Sequence, residues 1–267
     1  MDDAVVVCIA RYEECYVEEW IRYHLDLGFS RVYIYDNSDD NSLARLHNDV
    51  DVVVLHFPGV KKQLEAYNNF FIHRGHQHRW CAVIDCDEFI VLKKHADILS
   101  FLHELLPSGG LAINWVLYGC SGHKVFIDKP VRQRFVMRQV GVDPHVKCIV
   151  CCADVVQYNN PHYPTKLHGV VRDVHGAVIE GHKNPNGDDS VCQINHYYTK
   201  SHEEFNAKFQ RTRADTNTLR HHDRNEVFNF HDRNEVLCDT LQPLEHCIES
   251  VAKAAYMFPG KPSTTSP

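Results

Sequence analysis

The sequence lacks the excess of basic residues that nucleic-acid-binding proteins usually carry. Its 267 residues include 28 Lys and Arg against 35 Asp and Glu, which gives a net charge of −7 with histidine neutral. It also contains no apolar run that approaches the length of a membrane span. These absences favour a globular protein that has no nucleic-acid partner and no membrane span in this chain.

Glycine-rich loops and paired CxxC zinc motifs are absent as well. The first apolar run is followed by Arg11 and two glutamates, where nucleotidyltransferases commonly carry a glycine-rich phosphate loop. The 11 cysteines are an odd number, several lie inside apolar runs, and the sequence shows no signal peptide. We therefore expect mostly reduced cysteines in a cytoplasmic protein.

Apolar runs alternate with helical periodicities through the first 90 residues. The runs rich in β-branched residues, which predict buried strands, lie at 4–9, 31–35, 50–57 and 80–84. Apolar residues at helical spacing predict helices over 13–27 and 63–79. This alternation predicts an α/β fold with a mostly parallel, doubly wound sheet flanked by helices.

The second half of the sequence is less regular. Further strands are predicted at 111–117, 131–137, 146–151 and 191–198. Further helices are predicted at 97–106, 201–215 and 243–257. Ser201 and Glu204 stand at the spacing of a capping box, which marks a helix start. We expect a mixed sheet in this half, followed by C-terminal helices.

Two carboxylates follow the fourth predicted strand, in the sequence Asp85-Cys86-Asp87. Open α/β sheets bind ligands beyond the carboxyl ends of their strands. Acidic residues beside an anionic nucleoside diphosphate require a bridging cation, and Mn²⁺ or Mg²⁺ fits oxygen ligands. Such an ion stabilises the charge on a departing diphosphate during sugar transfer. An isolated Asp-X-Asp is explained equally well as a pair of solvated or capping residues.

Polar residues also follow the first two predicted strands. Arg11 and Glu13 come after the first strand, and Asp36 and Asn37 end the second. If the strands are parallel, these residues share a sheet edge with Asp85, and a nucleotide can lie across them. The alternatives are favourable charge in the first turn of a helix for Glu13 and turn formation for Asp36 and Asn37.

A late strand ends in Asn195-His196-Tyr197-Tyr198. This motif is the last of several that occur in a fixed order along the chain. They are Arg11 to His24, Val32 to Ser38, Gln63 with 66–68, Trp80 with 85–89, Trp115 with 118–123, and 195–205. Together, over roughly residues 5–215, they resemble glycosyltransferase family 92 (DUF23-like) and related family-2-type enzymes. The resemblance implies a GT-A-type (Rossmann-like) fold, a nucleotide-sugar donor such as a UDP-sugar, and a glycan or glycoconjugate acceptor. It also implies hexosyl transfer with inversion and a divalent metal ion.

Carried onto this sequence, the resemblance assigns individual residues. The metal ligands are expected to be Asp85, Asp87 and His196. The nucleotide-sugar site is expected to be lined by Ala10, Arg11, Glu13, Asp36, Asn37, Gln63, Asp85, Trp115 and Gly122. The catalytic base has three candidates in the region expected to face the acceptor, namely Asp128, Asp143 and Asp154.

One domain is expected over 1–257. Its parts are a nucleotide-binding half (1–90), an acceptor half (91–215) and a C-terminal helical segment (216–257), before a flexible tail (258–267).

Two other functions are also compatible with the acidic residues at this edge of the sheet. One is a metal-dependent nucleotide-sugar hydrolase or pyrophosphorylase, and the other is a non-catalytic nucleotide-sugar-binding module.

Overall fold

The computed structural model describes residues 3–210 and 223–238. The strands are β1 (Ala4–Ala10), β2 (Arg31–Asp36), β3 (Val52–His56), β4 (Trp80–Val83), β5 (Glu88–Leu92), β6 (Gly110–Leu117), β7 (Met137–Arg138), β8 (Asp143–Cys151), β9 (Val155–Asn160), β10 (Tyr163–Leu167), β11 (Val171–Arg172), β12 (Val178–Ile179), β13 (Cys192–His196) and β14 (Val236–Leu237). The helices are α1 (Val17–Asp26), α2 (Gln63–His73), α3 (Ile98–Leu105), α4 (Val131–Arg134), α5 (His202–Gln210) and α6 (Arg224–His231). The predicted helix at 243–257 and the predicted tail lie outside the described residues.

Ten strands form one mixed sheet. Its first half consists of parallel strands in the order β4-β1-β2-β3. In the second half, β8 runs antiparallel between β4 and β6, and β13 lies between β6 and β5. The molecule is therefore α/β, with a large central sheet flanked by helices. The prediction of a parallel first half and a mixed second half is confirmed.

The sheet is covered on both faces, because alternate residues of β1 enter two apolar cores. Val6 and Cys8 pack on the side of α1 and α3, in the core that contains Trp20. Val5 and Val7 pack on the side of α2. Each such fully buried aliphatic side chain contributes about 1.5–3 kcal/mol of transfer free energy. With both faces covered, a ligand can approach the sheet only at its edges.

The predicted strand at 131–137 is wrong over most of its length. Its first four residues form α4, and only its last residue belongs to a strand, β7. Val131 and Phe135 stand four residues apart and are both buried, which is helical spacing. The carboxylate of Glu19 accepts the N–H groups of Val131 (2.6 Å) and Arg132 (3.3 Å) at the helix start. A tertiary contact from α1 thus fixes a helical turn in a sequence that alternates like a strand.

Two predicted helices are longer than those in the structure. The helix expected from residue 13 begins at Val17, because the preceding residues form turns. The helix expected over 63–79 ends at His73 and is followed by a single 3₁₀ turn at Gly75–Gln77. The hairpin of β9 and β10 was not predicted at all.

The ten described cysteines are free thiols, and nine of them are buried. The thiols of Cys8 and Cys86 approach to 3.4 Å without a covalent bond. Within the described part of the chain, no helix combines the length and apolar character needed to cross a membrane.

Candidate active site

The carboxyl ends of β1, β2, β4, β6 and β13 meet at one edge of the sheet. The antiparallel strands β5 and β8 begin at the same edge. As the sequence predicted, the segments that follow Ala10, Asp36 and Val83 are therefore neighbours in space. We describe the residues at this edge from β4 outward.

Asp85 follows β4 and is partly exposed. Its Oδ1 accepts hydrogen bonds from Gln63 Nε2 (3.0 Å) and the Tyr67 hydroxyl (3.2 Å), and its Oδ2 lies 2.8 Å from Lys147 Nζ. Burial lowers the pKa of Lys147, but the carboxylates of Asp85 and Glu88 more than reverse this, and the pKa is raised. A buried lysine of β8 therefore balances the charge of Asp85, and Gln63 contacts Asp85 directly.

Asp87 is buried and directly precedes β5. Its Oδ2 accepts a 2.5 Å bond from Lys208 Nζ, and its Oδ1 lies 3.8 Å from His196 Nε2. Burial raises the pKa of Asp87, but the nearby ammonium groups, chiefly Lys208, outweigh burial and hold it below its usual range. Asp87 is consequently a carboxylate anion.

His196 ends β13 and faces Asp87. Burial lowers the pKa of His196 to about 3, so the imidazole is neutral at physiological pH. Its Nδ1 has no hydrogen-bond partner among the described residues. The ring packs against Trp115 with a centroid distance of 4.2 Å. A neutral imidazole beside a carboxylate is a suitable donor pair for a divalent transition metal.

Lys200 is a buried cation beside this pair. Its residue is only 4% exposed, and its Nζ lies 4.3 Å from the centroid of the Tyr16 ring. Burial lowers the pKa of Lys200, while Glu13 and Asp87 oppose that change. No described carboxylate lies within ion-pair distance of its ammonium group. Lys200 and Lys208 line one small cavity together with Glu13 and Tyr16.

These residues can supply part of a metal site. Asp87 Oδ1 and His196 Nε2 are 3.8 Å apart, so a small shift brings both onto one ion. Asp85 is engaged by Lys147, and Lys208 contacts Asp87 on its other oxygen. Over residues 3–210 and 223–238, no group of three or more His, Cys, Asp or Glu is arranged to hold a metal. Among the described residues, Asp87 and His196 can therefore supply two protein ligands to one ion.

Asp36 and Asn37 are fully buried and form the loop after β2. The Asp36 carboxylate accepts the N–H groups of Ser38 (2.9 Å) and Leu43 (3.0 Å). The Asn37 amide donates to the carbonyl groups of Phe57 and Gly59. Their side chains thus hold the backbone of the loop that follows β2. They can affect a bound nucleotide only by fixing the shape of that loop. This is the turn role weighed for them on the sequence.

Arg11 and Glu13 follow Ala10 at the end of β1. Arg11 is partly exposed and forms a 3.7 Å ion pair with Asp39. Tyr12 between them has a φ of +55°, a conformation uncommon outside glycine. The Glu13 carbonyl group accepts the first N–H bonds of α1, and its side chain faces the cavity of Lys200 and Lys208. Glu13 therefore lines the cavity from the β1 side, whereas Arg11 pairs with Asp39.

Trp115 and Gly122 lie on the side of β6. Trp115 is 8% exposed, and its indole N–H has no hydrogen-bond partner in the described part of the chain. Its ring contacts three imidazoles, those of His196, His145 and His162. Gly122 lies in the exposed loop after β6 at a φ of +79°, with open space beside its α-carbon.

The three candidate bases occupy different places. Asp154 lies at the opposite edge of the sheet, where it accepts the Gly109 N–H at 2.7 Å. Asp128 is exposed in the loop before α4. Asp143 begins β8 at the same edge as Asp87, and its carboxylate is bonded to His145. Of the three, the structure brings only Asp143 to the edge that carries the other site residues.

The sequence reasoning missed the three lysines that surround the acidic pair, namely Lys147, Lys200 and Lys208. They come from β8, the turn after β13, and α5. The sequence contains one local signal: Lys200 directly precedes Ser201, the first residue of the capping box of α5. Sequence spacing offered no signal for the other two.

The chain matches the model of glycosyltransferase family 92 over residues 3–229. It is 24% identical over 232 residues to a glycosyltransferase family 92 protein of Ricinus communis, covering 73% of this chain and 35% of the relative. It is 27% identical over 215 residues to a glycosyltransferase family 92 protein of Oryza sativa subsp. japonica, covering 77% of this chain and 35% of the relative. The chain thus spans about a third of the length of these relatives.

The solved structures that resemble this chain include a UDP-glucose pyrophosphorylase complexed with UDP-glucose. The TM-score is 0.32 at 11% identity, with 82% of this chain and 83% of that chain covered. This similarity is too low to support a conclusion about fold or function.

Proposed function

The chain belongs to glycosyltransferase family 92, and on that premise we propose that it is a metal-dependent glycosyltransferase of the GT-A type. It takes a sugar from a nucleotide-sugar donor, for which we propose a UDP-sugar. It transfers that sugar to a hydroxyl group of a glycan or glycoconjugate, with inversion at the anomeric carbon. Because the chain spans about a third of its relatives, the activity of the whole protein is part of this proposal.

The observation that carries the proposal is the buried ammonium group of Lys200, which has no described carboxylate within ion-pair distance. A buried amine without a carboxylate partner is unfavourable, and an anionic ligand removes that penalty. The group lines a cavity next to the Asp87 and His196 pair, where a metal-bound diphosphate brings negative charge. A charge-assisted hydrogen bond from Lys200 to a phosphate oxygen contributes about 1.5–3 kcal/mol.

The metal-binding residues in this proposal are Asp87 and His196. Bound there, Mn²⁺ or Mg²⁺ supplies Lewis-acid stabilisation of the diphosphate leaving group. Lys200 and Lys208 add positive charge at the same place. Asp85, held by Gln63 and Lys147, faces the ribose side of the nucleotide. The unpartnered indole N–H of Trp115 is available to the sugar.

Nucleotide binding tests this proposal. Purified protein is mixed with UDP-, GDP- and dTDP-sugars, with and without Mn²⁺, and its melting temperature is recorded. We expect a metal-dependent stabilisation by one nucleotide class, which titration calorimetry then quantifies. Lys200→Met should weaken that binding about 10- to 100-fold, which corresponds to the loss of one charge-assisted bond.

Two further substitutions complete the experiment. Asp87→Asn should abolish the metal dependence, whereas Lys166→Met, at an exposed lysine of β10, should change nothing. Absence of any metal-dependent nucleotide response would contradict the proposal. Binding followed only by release of free sugar would favour the hydrolase alternative, and binding with no turnover would favour a binding module.

A further inference from the structure

An aspartate and a histidine at the start of β8 form a tight pair. Asp143 Oδ1 lies 2.7 Å from His145 Nδ1 and also accepts the His145 backbone N–H at 2.9 Å. The carboxylate is largely buried, whereas the imidazole is about a quarter exposed. Burial raises the pKa of Asp143, but its bonds to His145 reverse this and hold it below its usual range. A charged carboxylate thus fixes the orientation and the tautomer of the ring.

The pair leaves one ring nitrogen available. With Nδ1–H donated to Asp143, Nε2 carries the lone pair of the neutral ring. No residue in the described ranges forms a hydrogen bond with Nε2 of His145. A carboxylate-oriented imidazole with an accessible lone pair is the arrangement that proton abstraction requires.

The pair also lies at a suitable separation from the metal-binding residues. The Trp115 indole lies between His196 and His145, with centroid distances of 4.2 Å and 5.3 Å. A sugar ring is about as wide as one indole. The anomeric carbon of a donor is the sugar atom bonded to the diphosphate, and in an inverting transfer the acceptor oxygen approaches that carbon from the side opposite the breaking bond. With the diphosphate at Asp87, an acceptor hydroxyl group beyond Trp115 therefore lies on the side of His145.

We propose that His145 is the general base that removes the proton from the acceptor hydroxyl group and that Asp143 is its positioning residue. This inference rests on the proposed function. The acceptor oxygen forms a bond with the anomeric carbon, and the bond from that carbon to the diphosphate oxygen breaks. The electron pair of the broken bond leaves with the diphosphate, and the hydroxyl proton moves to His145 Nε2.

The neighbouring titratable groups are less suited to this role. Burial lowers the pKa of His162 to about 2, and its Nδ1 donates to the Val146 carbonyl group at 3.2 Å. His196 faces Asp87 and is a metal ligand in the proposed function, so its Nε2 is not available to a substrate hydroxyl group. The ring of His182, in the segment before β13, stacks on the ring of His145 with a centroid distance of 5.8 Å. Lys183 pairs with His145 through an isolated antiparallel β-bridge of the backbone.

The test uses UDP release from UDP-galactose, with p-nitrophenyl glycosides or water as acceptor. His145→Gln should lower kcat by about 10²–10⁴-fold, the usual contribution of a general base, and remove the acid limb of the pH–rate profile. The dissociation constant for UDP with Mn²⁺ should stay unchanged. Added imidazole should restore part of the activity of His145→Ala. Asp143→Asn should reduce kcat less than His145→Gln does and should leave the dissociation constant for UDP unchanged, because the ring keeps its Nε2 lone pair but loses the carboxylate that orients it.

His182→Gln is the matched control, since it removes a neighbouring imidazole without touching Asp143. Wild-type kcat and an unchanged acid limb in His145→Gln would overturn the assignment. Equal losses in His145→Gln and His182→Gln, without rescue by imidazole, would also overturn it, because they indicate a packing role. Failure of the wild-type chain to bind UDP with Mn²⁺ would instead contradict the proposed function and this inference with it.

Discussion

Lysine side chains neutralise the acidic pair of Asp85 and Asp87. Lys147 contacts Asp85 at 2.8 Å, and Lys208 contacts Asp87 at 2.5 Å. The sequence predicted that the aspartates share a sheet edge, because strand ends are visible as breaks in apolar runs. It could not predict their lysine partners, because each lysine lies more than 60 residues away in the chain. Such pairs follow only from the complete fold.

The Lys208 contact makes a prediction about metal binding. Lys208 Nζ and a divalent ion compete for the same carboxylate, so Lys208→Met should bind Mn²⁺ about 10-fold more tightly, equivalent to about 1.4 kcal/mol. Titration with Mn²⁺ alone, followed by electron paramagnetic resonance of the free ion, measures this. The control is Lys166→Met. An unchanged affinity in Lys208→Met would show that Asp87 is not a ligand.

At the scale of elements, Glu204 connects three helices. It completes the predicted capping box with Ser201 through reciprocal bonds of 3.0 and 3.2 Å. Its carboxylate also forms a two-pronged pair with Arg134 of α4, at 2.8 and 3.0 Å, and accepts the Tyr16 hydroxyl before α1. The local capping box was readable from spacing. The long-range bonds were not, because Arg134 and Tyr16 lie 70 and 188 residues away from Glu204 in the chain.

This connection predicts a large loss of stability in Arg134→Met. The substitution leaves the Glu204 carboxylate buried without its charged partner, so the free energy of unfolding should fall by about 3–5 kcal/mol. The matched control is Arg45→Met, which breaks a pair with Glu18 where the arginine is 55% exposed. That change should cost less than about 1 kcal/mol. Urea denaturation at pH 7 compares the two, and similar losses would contradict the argument.

The hexapeptide HDRNEV occurs twice, at 222–227 and at 231–236, and its two copies have different structural roles. The first HDRNEV copy begins α6, where Asp223 accepts the N–H groups of Asn225 and Glu226. In the second copy, Asp232 and Asn234 accept backbone N–H groups of the loop after β6. Identical residues therefore cap a helix once and hold a loop once. Sequence repetition alone could not distinguish these roles.

At the scale of the whole molecule, buried neutral histidines link stability to pH. Burial lowers the pKa of His24 from 6.5 to about 3. The unfolded chain takes up this proton near pH 6.5 while the folded protein stays neutral. The contribution of the neutral ring to the free energy of unfolding is therefore fully present above pH 6.5. It decreases by about 1.4 kcal/mol per pH unit for each such group as the pH falls toward about 3.

His24→Phe tests this linkage, since the ring already packs on Phe89 and Phe29. Between pH 6 and 4, the free energy of unfolding of the variant should fall less steeply than that of wild type, by about 1.4 kcal/mol per pH unit. Urea denaturation at several pH values measures the slope. The exposed His76→Phe should retain the wild-type slope, and identical slopes in all three proteins would contradict the assignment.

The overall order of strands was only partly predictable. The parallel half follows from local alternation of strand and helix, as in β1, α1 and β2. The position of β13 between β5 and β6 depends on partners about 80 to 100 residues earlier in the chain, and no local pattern encodes it.

The insertion of β13 has a consequence for synthesis of the protein. His196, Lys200 and Lys208 reach the edge only after β13 has entered the sheet between two strands made much earlier. A nascent chain on the ribosome thus carries Asp85 and Asp87 for more than a hundred residues of elongation before the histidine and the two lysines of this edge have been made. The edge gains these three side chains together, once β13 lies between β5 and β6.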